Sequence, residues 1–236
     1  MKNKDKAPIC TDCFTEFDSV FTKLSDEDYT NLHSGKMCNY YKRNSVIYTE
    51  GSRIKGIYCI NEGILKIYKT GIDGREQIIA FAKKGDIIGY RSILSNERAC
   101  STAKVISDAT LCFIPSTTFL SLIKNNSNFS MSIMHQTCKE LGEANSYITD
   151  IAQKTVRERI AEVLLKLYNN FGVDENKILQ ISLTREELAN IVGTATESII
   201  RLLSEFKKDN LIDLKGRKIY ILEKHKLEQI SNALLK

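Results

Sequence analysis

Histidine is scarce in this chain. There are three in 236 residues, His33, His135 and His225, in three different parts of the sequence. Metal-dependent and acid–base catalysis draw on clustered histidines and carboxylates, so this scatter argues against an enzyme. A P-loop, a nucleophile elbow and a zinc motif with two complete ligand pairs are also missing. No apolar run approaches the roughly 18 residues of a membrane span. The start, MKNKDKAPIC, is positive without an apolar core behind it, so no secretory leader is expected. The expectation is a cytoplasmic protein without a membrane role. Internal repeats and low-complexity tracts are absent from the sequence.

Hydrophobic residues make up 42% and charged residues 27%, which suits a globular chain of one large domain or two ordinary ones. The net charge is +5, and residues 154–236 hold 15 basic against 12 acidic side chains. That mild excess permits nucleic-acid binding without demanding it, so placement must decide. Seven cysteines, an odd number, do not suit a secreted disulfide framework. Buried free thiols are the expectation for Cys59 and Cys138, whereas Cys10 and Cys13 form a C-x-x-C pair near the start.

The texture of the chain changes twice. Residues 1–24 read as an N-terminal arm. SDEDYTNLH, from Ser25, predicts a short helix with Ser25 as N-cap. From about Met37 to Pro115, short runs rich in Val, Ile, Tyr and Phe alternate with glycine every 8–12 residues, as in GIYCINEG and ILKIYKTG. That is the pattern of a small antiparallel barrel or roll. Gly71-Ile72-Asp73-Gly74 is a hairpin turn. Beyond Pro115 the period becomes helical, with a short helix from Ser116 and a long one from about Asn128 to Thr149 or beyond. Leu141, Ala144, Ile148, Ile151 and Thr155 recur at spacings of three and four. A helix this long overhangs a small barrel, so the stripe points to a partner helix from a second copy.

The stretch LTREELANIVGTATESIIRLLSEFKKDNLI carries the most specific signal. Thr184-Arg185-Glu186-Glu187 has the form of a capping box, and Thr194-Ala195-Thr196-Glu197 repeats it after Gly193. Two helices joined this tightly must cross steeply, as in a helix-turn-helix. On the second, Ile199, Leu202, Leu203 and Phe206 share one face, and Glu197, Arg201, Ser204 and Lys208 share the other. Arginine can donate twice to guanine, and glutamate can accept from cytosine, at the helix start that meets base edges in this motif. Glu197 and Arg201 are also an i, i+4 pair, which alone would be a surface ion pair. The following LIDLKGRKIYIL predicts a basic hairpin around Lys215-Gly216-Arg217.

These residues resemble the CRP/FNR family of bacterial transcription regulators over nearly the whole chain, roughly residues 21–227. The likeness is most specific in the helix-turn-helix and the KGRKIYI hairpin, and extends to EGSRIKGIYCINEGILKIYK and KKGDIIGYRSIL. It implies an α+β chain: an N-terminal double-stranded β-roll of the cyclic-nucleotide-binding type, a long dimerisation helix and a C-terminal winged helix-turn-helix. The corresponding segments are an arm at 1–24, a roll at 25–125, a dimerisation helix at 126–153 and a DNA-binding domain at 154–236. It implies a homodimer on a palindromic double-stranded DNA site with a TGA-like half-site core, in which Glu197 and Arg201 read a C·G pair. Ile200 stands where the family usually has serine or glycine, and can touch a thymine methyl. Arg185, Thr194, Thr196, Ser198, Ser204, Lys208, Lys215 and Arg217 are the expected backbone contacts. RNA polymerase is the expected protein partner.

What the roll senses stays open. Cyclic-nucleotide binders of the family hold ribose with a glutamate and phosphate with an arginine. Tyr90 and Ala99 stand at or near those positions, with Arg98 beside the second, so a nucleotide is not expected. The oxygen-sensing branch holds an iron–sulfur cluster on four cysteines. Cys10 and Cys13 supply the first pair and Cys112 matches the fourth position, but the third is Ser19, a poor cluster ligand, for which Cys38 is a stand-in only at a spacing foreign to the pattern. A cluster, a thiol redox role for the C-x-x-C pair, and no sensing role at all are the three readings.

Overall fold

A computed structural model describes residues 19–22 and 24–232. The chain divides into two compact units, one ending at Leu141 and one beginning at Gly142.

The first unit is built on antiparallel strands. Helix α1 (Asp26–Gly35) starts at Ser25, whose hydroxyl accepts from the Asp28 amide in a complete capping box. The sheet follows: β1 (Met37–Tyr41), β2 (Val46–Tyr48), β3 (Gly56–Thr70), β4 (Glu76–Ala82), β5 (Ile87–Ile88) and, after the short helix α2 (Tyr90–Ser95), β6 (Thr102–Pro115). Its order is β1-β6-β3-β4, with β2 also on β6 and β5 on β3. The hairpin between β3 and β4 closes where the glycines predict it, by Gly71 N–H to the Arg75 carbonyl at 2.9 Å.

Two runs expected as separate strands are one. GIYCINEG and ILKIYKTG form the single 15-residue β3. Gly63, read as turn punctuation, lies inside it at φ +97°, in a bulge where β3 shifts register against β6. A Cβ there would stand 2.5 Å from the Asp108 carbonyl oxygen and 2.6 Å from Ala109. The glycine serves close approach rather than a turn.

The sheet has two apolar faces. One holds Ile60, Leu65, Ile67, Val105 and Leu111, packed within the roll. The other holds Ile57, Cys59 and Ile114, and takes up α3 (Ser116–Asn125) through Phe119 and Leu122. The long helix α4 (Ser127–Gln153) joins the same cluster through Phe129 and Ile133. Phe21, from the segment expected as an arm, is fully buried there and stacks on Phe129 at 5.3 Å between centroids.

The second unit contains the C-terminal part of α4, then α5 (Val156–Phe171), α6 (Arg185–Val192), α7 (Thr196–Lys208), the hairpin β7 (Ile212–Lys215) and β8 (Lys218–Ile221), and α8 (Lys224–Ser231). Ile160, Val163, Leu164, Leu188, Val192, Ile199 and Leu203 converge from α5, α6 and α7 into its core. Helix α4 ends at Gln153. Thr155, expected as the last member of the α4 stripe, is instead the N-cap of α5, its hydroxyl accepting from the Glu158 amide at 3.3 Å. The stripe stops short because a capping residue must leave helical geometry.

Candidate nucleic-acid interface

Thr184 opens α6 with the predicted capping box: its hydroxyl accepts from Glu187 N–H at 3.0 Å, and the Glu187 carboxylate accepts from Thr184 N–H at 2.9 Å. Gly193 closes the helix in the left-handed region, φ +70°. The second predicted capping box does not form. Ala195, not Thr194, is the N-cap of α7, and no side chain caps that end. Thr194 belongs instead to the turn, its amide donating to the Ala189 carbonyl at 3.2 Å. The first amides of α7 therefore have no side-chain acceptor, which suits them to an anion.

Helix α7 buries Ile199, Leu202, Leu203 and Phe206 and exposes the opposite face. Burial of four such side chains stabilises the seat by at most about 6–12 kcal/mol. Glu197, Ile200, Arg201, Ser204 and Lys208 are all exposed on that outer face, and Ile200 is 50% accessible. Ser204 returns its hydroxyl to the Ile200 carbonyl at 2.9 Å. Thr196 and Ser198 lie half-buried at the helix start. The hairpin carries Lys215, Arg217 and Lys218 exposed, with the Lys215 ammonium 5.3 Å from the centroid of the Tyr220 ring.

Arg185 does more than its predicted backbone role requires. Its Nη2 donates to the Gly216 carbonyl at the hairpin tip, at 3.2 Å, while Nη1 is buried without a protein partner. Burial lowers its pKa, though a guanidinium stays charged. One side chain thus links the start of the first helix to the tip of the wing, with one donor group left over.

Several positioning residues carry no motif that sequence could flag. Arg159 donates to the Lys154, Val192 and Gly193 carbonyls at 2.8, 3.0 and 3.4 Å, pinning the helix-turn-helix corner to the start of α5. Arg157 reaches Glu205 and Asp209 and lies 4.7 Å over the Phe206 ring, bracing α7 from behind. Lys207 pairs with Asp213 at 2.7 Å, fixing the base of the wing. The Tyr147 hydroxyl donates to the Ile191 carbonyl at 3.1 Å, tying α4 to α6.

On α4, Leu141 and Ile148 are 61% and 65% accessible, and Ala144 and Ile151 are exposed beside them. Met131 and Met134 extend the exposed apolar stripe toward the N-terminus. Their spacing to Leu141, ten and seven residues, was the available signal.

The sensor positions differ in kind. Tyr90 is buried, and burial and the nearby Glu140 carboxylate raise its phenol pKa. Ala99 is buried, and Arg98 donates to the Gly51 carbonyl at 2.9 Å on the exterior. Ser19 is buried and its hydroxyl accepts from Phe21 N–H at 3.4 Å. Cys112 is bonded to Cys38, its direct neighbour across β1 and β6. Cys10 and Cys13 lie outside the described residues. Among the described residues no group of three or more histidine, cysteine or acidic side chains could hold a metal. A hydroxyl at one position and a disulfide at another do not fit a four-thiolate cluster.

Comparison with known proteins places both halves. Residues 38–126 match the family model of the cyclic nucleotide-binding domain, and residues 158–230 match that of the Crp-like helix-turn-helix domain. The chain belongs to the CRP/FNR family. Electron transport regulator A of Shewanella oneidensis is 29% identical over 192 residues, covering 80% of this chain and 76% of that protein. The fumarate and nitrate reduction regulatory protein of Escherichia coli is 27% identical over 80% of this chain and 76% of its own length. A Crp/Fnr-family regulator of Eubacterium rectale superposes with a TM-score of 0.74 at 20% identity, covering 92% of this chain and 99% of that one. As a CRP/FNR member the chain is a DNA-binding transcription regulator and not an enzyme. No helix among the described residues is long and apolar enough to cross a membrane.

Proposed function

We propose that this CRP/FNR regulator works in the cytoplasm as a homodimer on a palindromic site with a TGA-like half-site core. Arg201 reads guanine, Glu197 accepts from the paired cytosine, and Ile200 contacts a thymine methyl. Thr194, Thr196, Ser198, Ser204 and Lys208 contact the phosphate backbone around α7, and Arg185, Lys215 and Arg217 do so from the first helix and the wing. The observation that carries the reading is the outer face of α7, where a carboxylate, a branched apolar side chain and a guanidinium stand exposed within five residues above a buried apolar seat.

Leu141, Ala144, Ile148 and Ile151, extended by Met131 and Met134, form the dimer seam, and two copies of α7 then address successive major grooves about 34 Å apart. A signal at the roll changes that spacing through the hinge at residues 153–155, and bound dimers contact RNA polymerase. The test is a gel shift on a TGA-type palindrome against a scrambled duplex at two salt concentrations. Preference for the palindrome, with affinity falling steeply as salt rises, supports the reading. Equal affinity for both duplexes would show a module that docks on something other than a specific site.

A further inference from the structure

Three cysteines stand in one line across the roll. Cys38 on β1 is registered opposite Cys112 on β6, and Cys112 is registered opposite Cys59 on β3. Directly opposed residues in antiparallel strands share a face, so all three sulfurs are on the same side of the sheet. That side is the one to which Cys59, Ile57 and Ile114 bring the cluster holding Phe129 and Ile133 of α4. Cys38 and Cys112 form a disulfide with a Cα–Cα distance of 4.0 Å. β1 is the outermost strand of the path and among the described residues pairs only with β6, so the bond fastens a sheet edge. The two sulfurs differ in access: Cys38 is half-buried, whereas Cys112 is 5% accessible.

We propose that Cys38–Cys112 is a reversible thiol–disulfide site whose oxidation state sets how firmly the start of α4 is seated on the roll. In the oxidising direction the co-reactant is a hydroperoxide. The Cys38 thiolate attacks its terminal oxygen, the O–O bond breaks, and the leaving alkoxide or hydroxide takes up a proton. Cys38 is then a sulfenic acid. Cys112 attacks that sulfur, the S–S bond forms, and hydroxide leaves as water, for two electrons in all. In the reducing direction a dithiol attacks the Cys38 sulfur, the more accessible one, and Cys112 leaves as thiolate. The second thiol of the reductant then displaces Cys38 from the mixed disulfide. Reduction unfastens β1 from β6 beside the residues that receive Phe129 and Ile133. The roll thereby carries an input separate from Cys10 and Cys13.

The experiment takes the full chain treated with dithiothreitol or with hydrogen peroxide. Thiols are mapped by differential alkylation and peptide mass spectrometry, and amide exchange is followed for the peptide carrying Phe129 and Ile133. Cys38 and Cys112 are expected to gain and lose label together, with Cys100 and Cys138, both exposed and outside the disulfide, labelled in the dithiothreitol-treated sample whatever the state of the pair. The α4 peptide is expected to exchange faster in the reduced state, and Cys38→Ser to exchange like the reduced chain under both treatments. Cys38→Ala serves if the serine variant does not fold. A missing 38–112 link, a 59–112 link in its place, or exchange that ignores the treatment would overturn the proposal. Affinity for the palindrome is the one readout that rests on the function proposed above. There the two states are expected to differ within the usual range of allosteric coupling, about 5–150-fold. If linkage and exchange switch but neither state prefers the palindrome, the reading of the DNA site fails and the redox site stands. If both switch and the two states bind the palindrome equally, the site does not regulate DNA binding.

Discussion

Arg201 Nη1 lies 3.1 Å from the Glu205 carboxylate, one turn onward in α7, and not against Glu197. The i, i+4 alternative that the sequence leaves open, a Glu197–Arg201 ion pair, is not the pair that forms. Arg201 is anchored from the side away from the helix start, which leaves Glu197 exposed at that end. The anchor is weak, because exposed pairs of this kind contribute about 0.2–0.5 kcal/mol. Leaving Glu205 for a base edge therefore costs little. Arg201→Ala is expected to lose about 10- to 100-fold in affinity for the palindrome, the worth of one bidentate base contact, and to lose discrimination at that base pair. Glu205→Ala is expected to change affinity less than about threefold. Competition gel shifts with single-base-substituted duplexes measure both, and sedimentation should find both variants dimeric.

The seam on α4 makes a second prediction. Leu141 and Ile148 are exposed in the single chain at helical spacing. Burying such a side chain contributes about 1.5–3 kcal/mol, and a two-fold axis counts each one twice. Leu141→Glu is expected to weaken self-association on the order of 10²- to 10⁴-fold. Sedimentation velocity across a concentration series reads this directly. Affinity for a single half-site should survive while affinity for the full palindrome falls.

Much of this architecture was legible because it rests on local chemistry. The Thr184 capping box, the left-handed Gly193 and the apolar face of α7 each depend on residues within one or two turns. The roll was legible as a class, but its strands were not countable. Gly63 has the same sequence signature whether it ends a strand or lets two strands approach, and only the opposing Asp108 and Ala109 decide which. Thr194 and Ala195 are likewise not told apart by the four-residue pattern, and it is Ala195 that stands at the start of α7 while Thr194 finishes the turn. Arg157, Arg159 and Tyr147 were invisible because, apart from the Lys154 carbonyl, their partners lie 33 to 52 positions away and are mostly backbone carbonyls or common surface acids. The Cys38–Cys112 bond spans 74 positions and needs the β1–β6 register, which no spacing rule supplies.

Asp28 supplies a pH-dependent contact in the first unit. Its carboxylate accepts from the Asn126 side chain at 2.9 Å and from the Ser25 hydroxyl at 2.9 Å. The Asn126 bond is the largest effect and, with the Ser25 bonds, holds its pKa below the ordinary aspartate value against burial, which comes second and raises it. A depressed carboxylate pKa stabilises the folded state above the unfolded-state value, and that contribution is lost as pH falls through the folded value. Denaturant melts from about pH 5 down to pH 2 should therefore show a shallower decline in Asp28→Asn than in the parent chain. Asp28 is half-buried and makes a single such contact, so the difference will be small. Equal slopes would mean that the Asn126 contact does not discriminate between the two protonation states.

The bulge at Gly63 combines an unfavourable φ with close approach of a neighbouring strand. Its φ of +97° lies outside what L side chains readily adopt. An added Cβ would meet a carbonyl oxygen and a neighbouring Cα and Cβ, all within 2.6 Å. Those atoms belong to β6, which is paired on both sides and has no flexible end to move away. Gly63→Ala should thus cost the first unit more than the roughly 1–3 kcal/mol of unfavourable φ alone, because the clash adds to it. Gly74, at φ +74° with open space around its Cβ position, isolates the backbone cost. Gly74→Ala should lower the melting temperature of the first unit by clearly less than Gly63→Ala. Differential scanning calorimetry of the two variants separates close approach from turn geometry, and similar losses would mean that β3 and β6 move apart at the bulge.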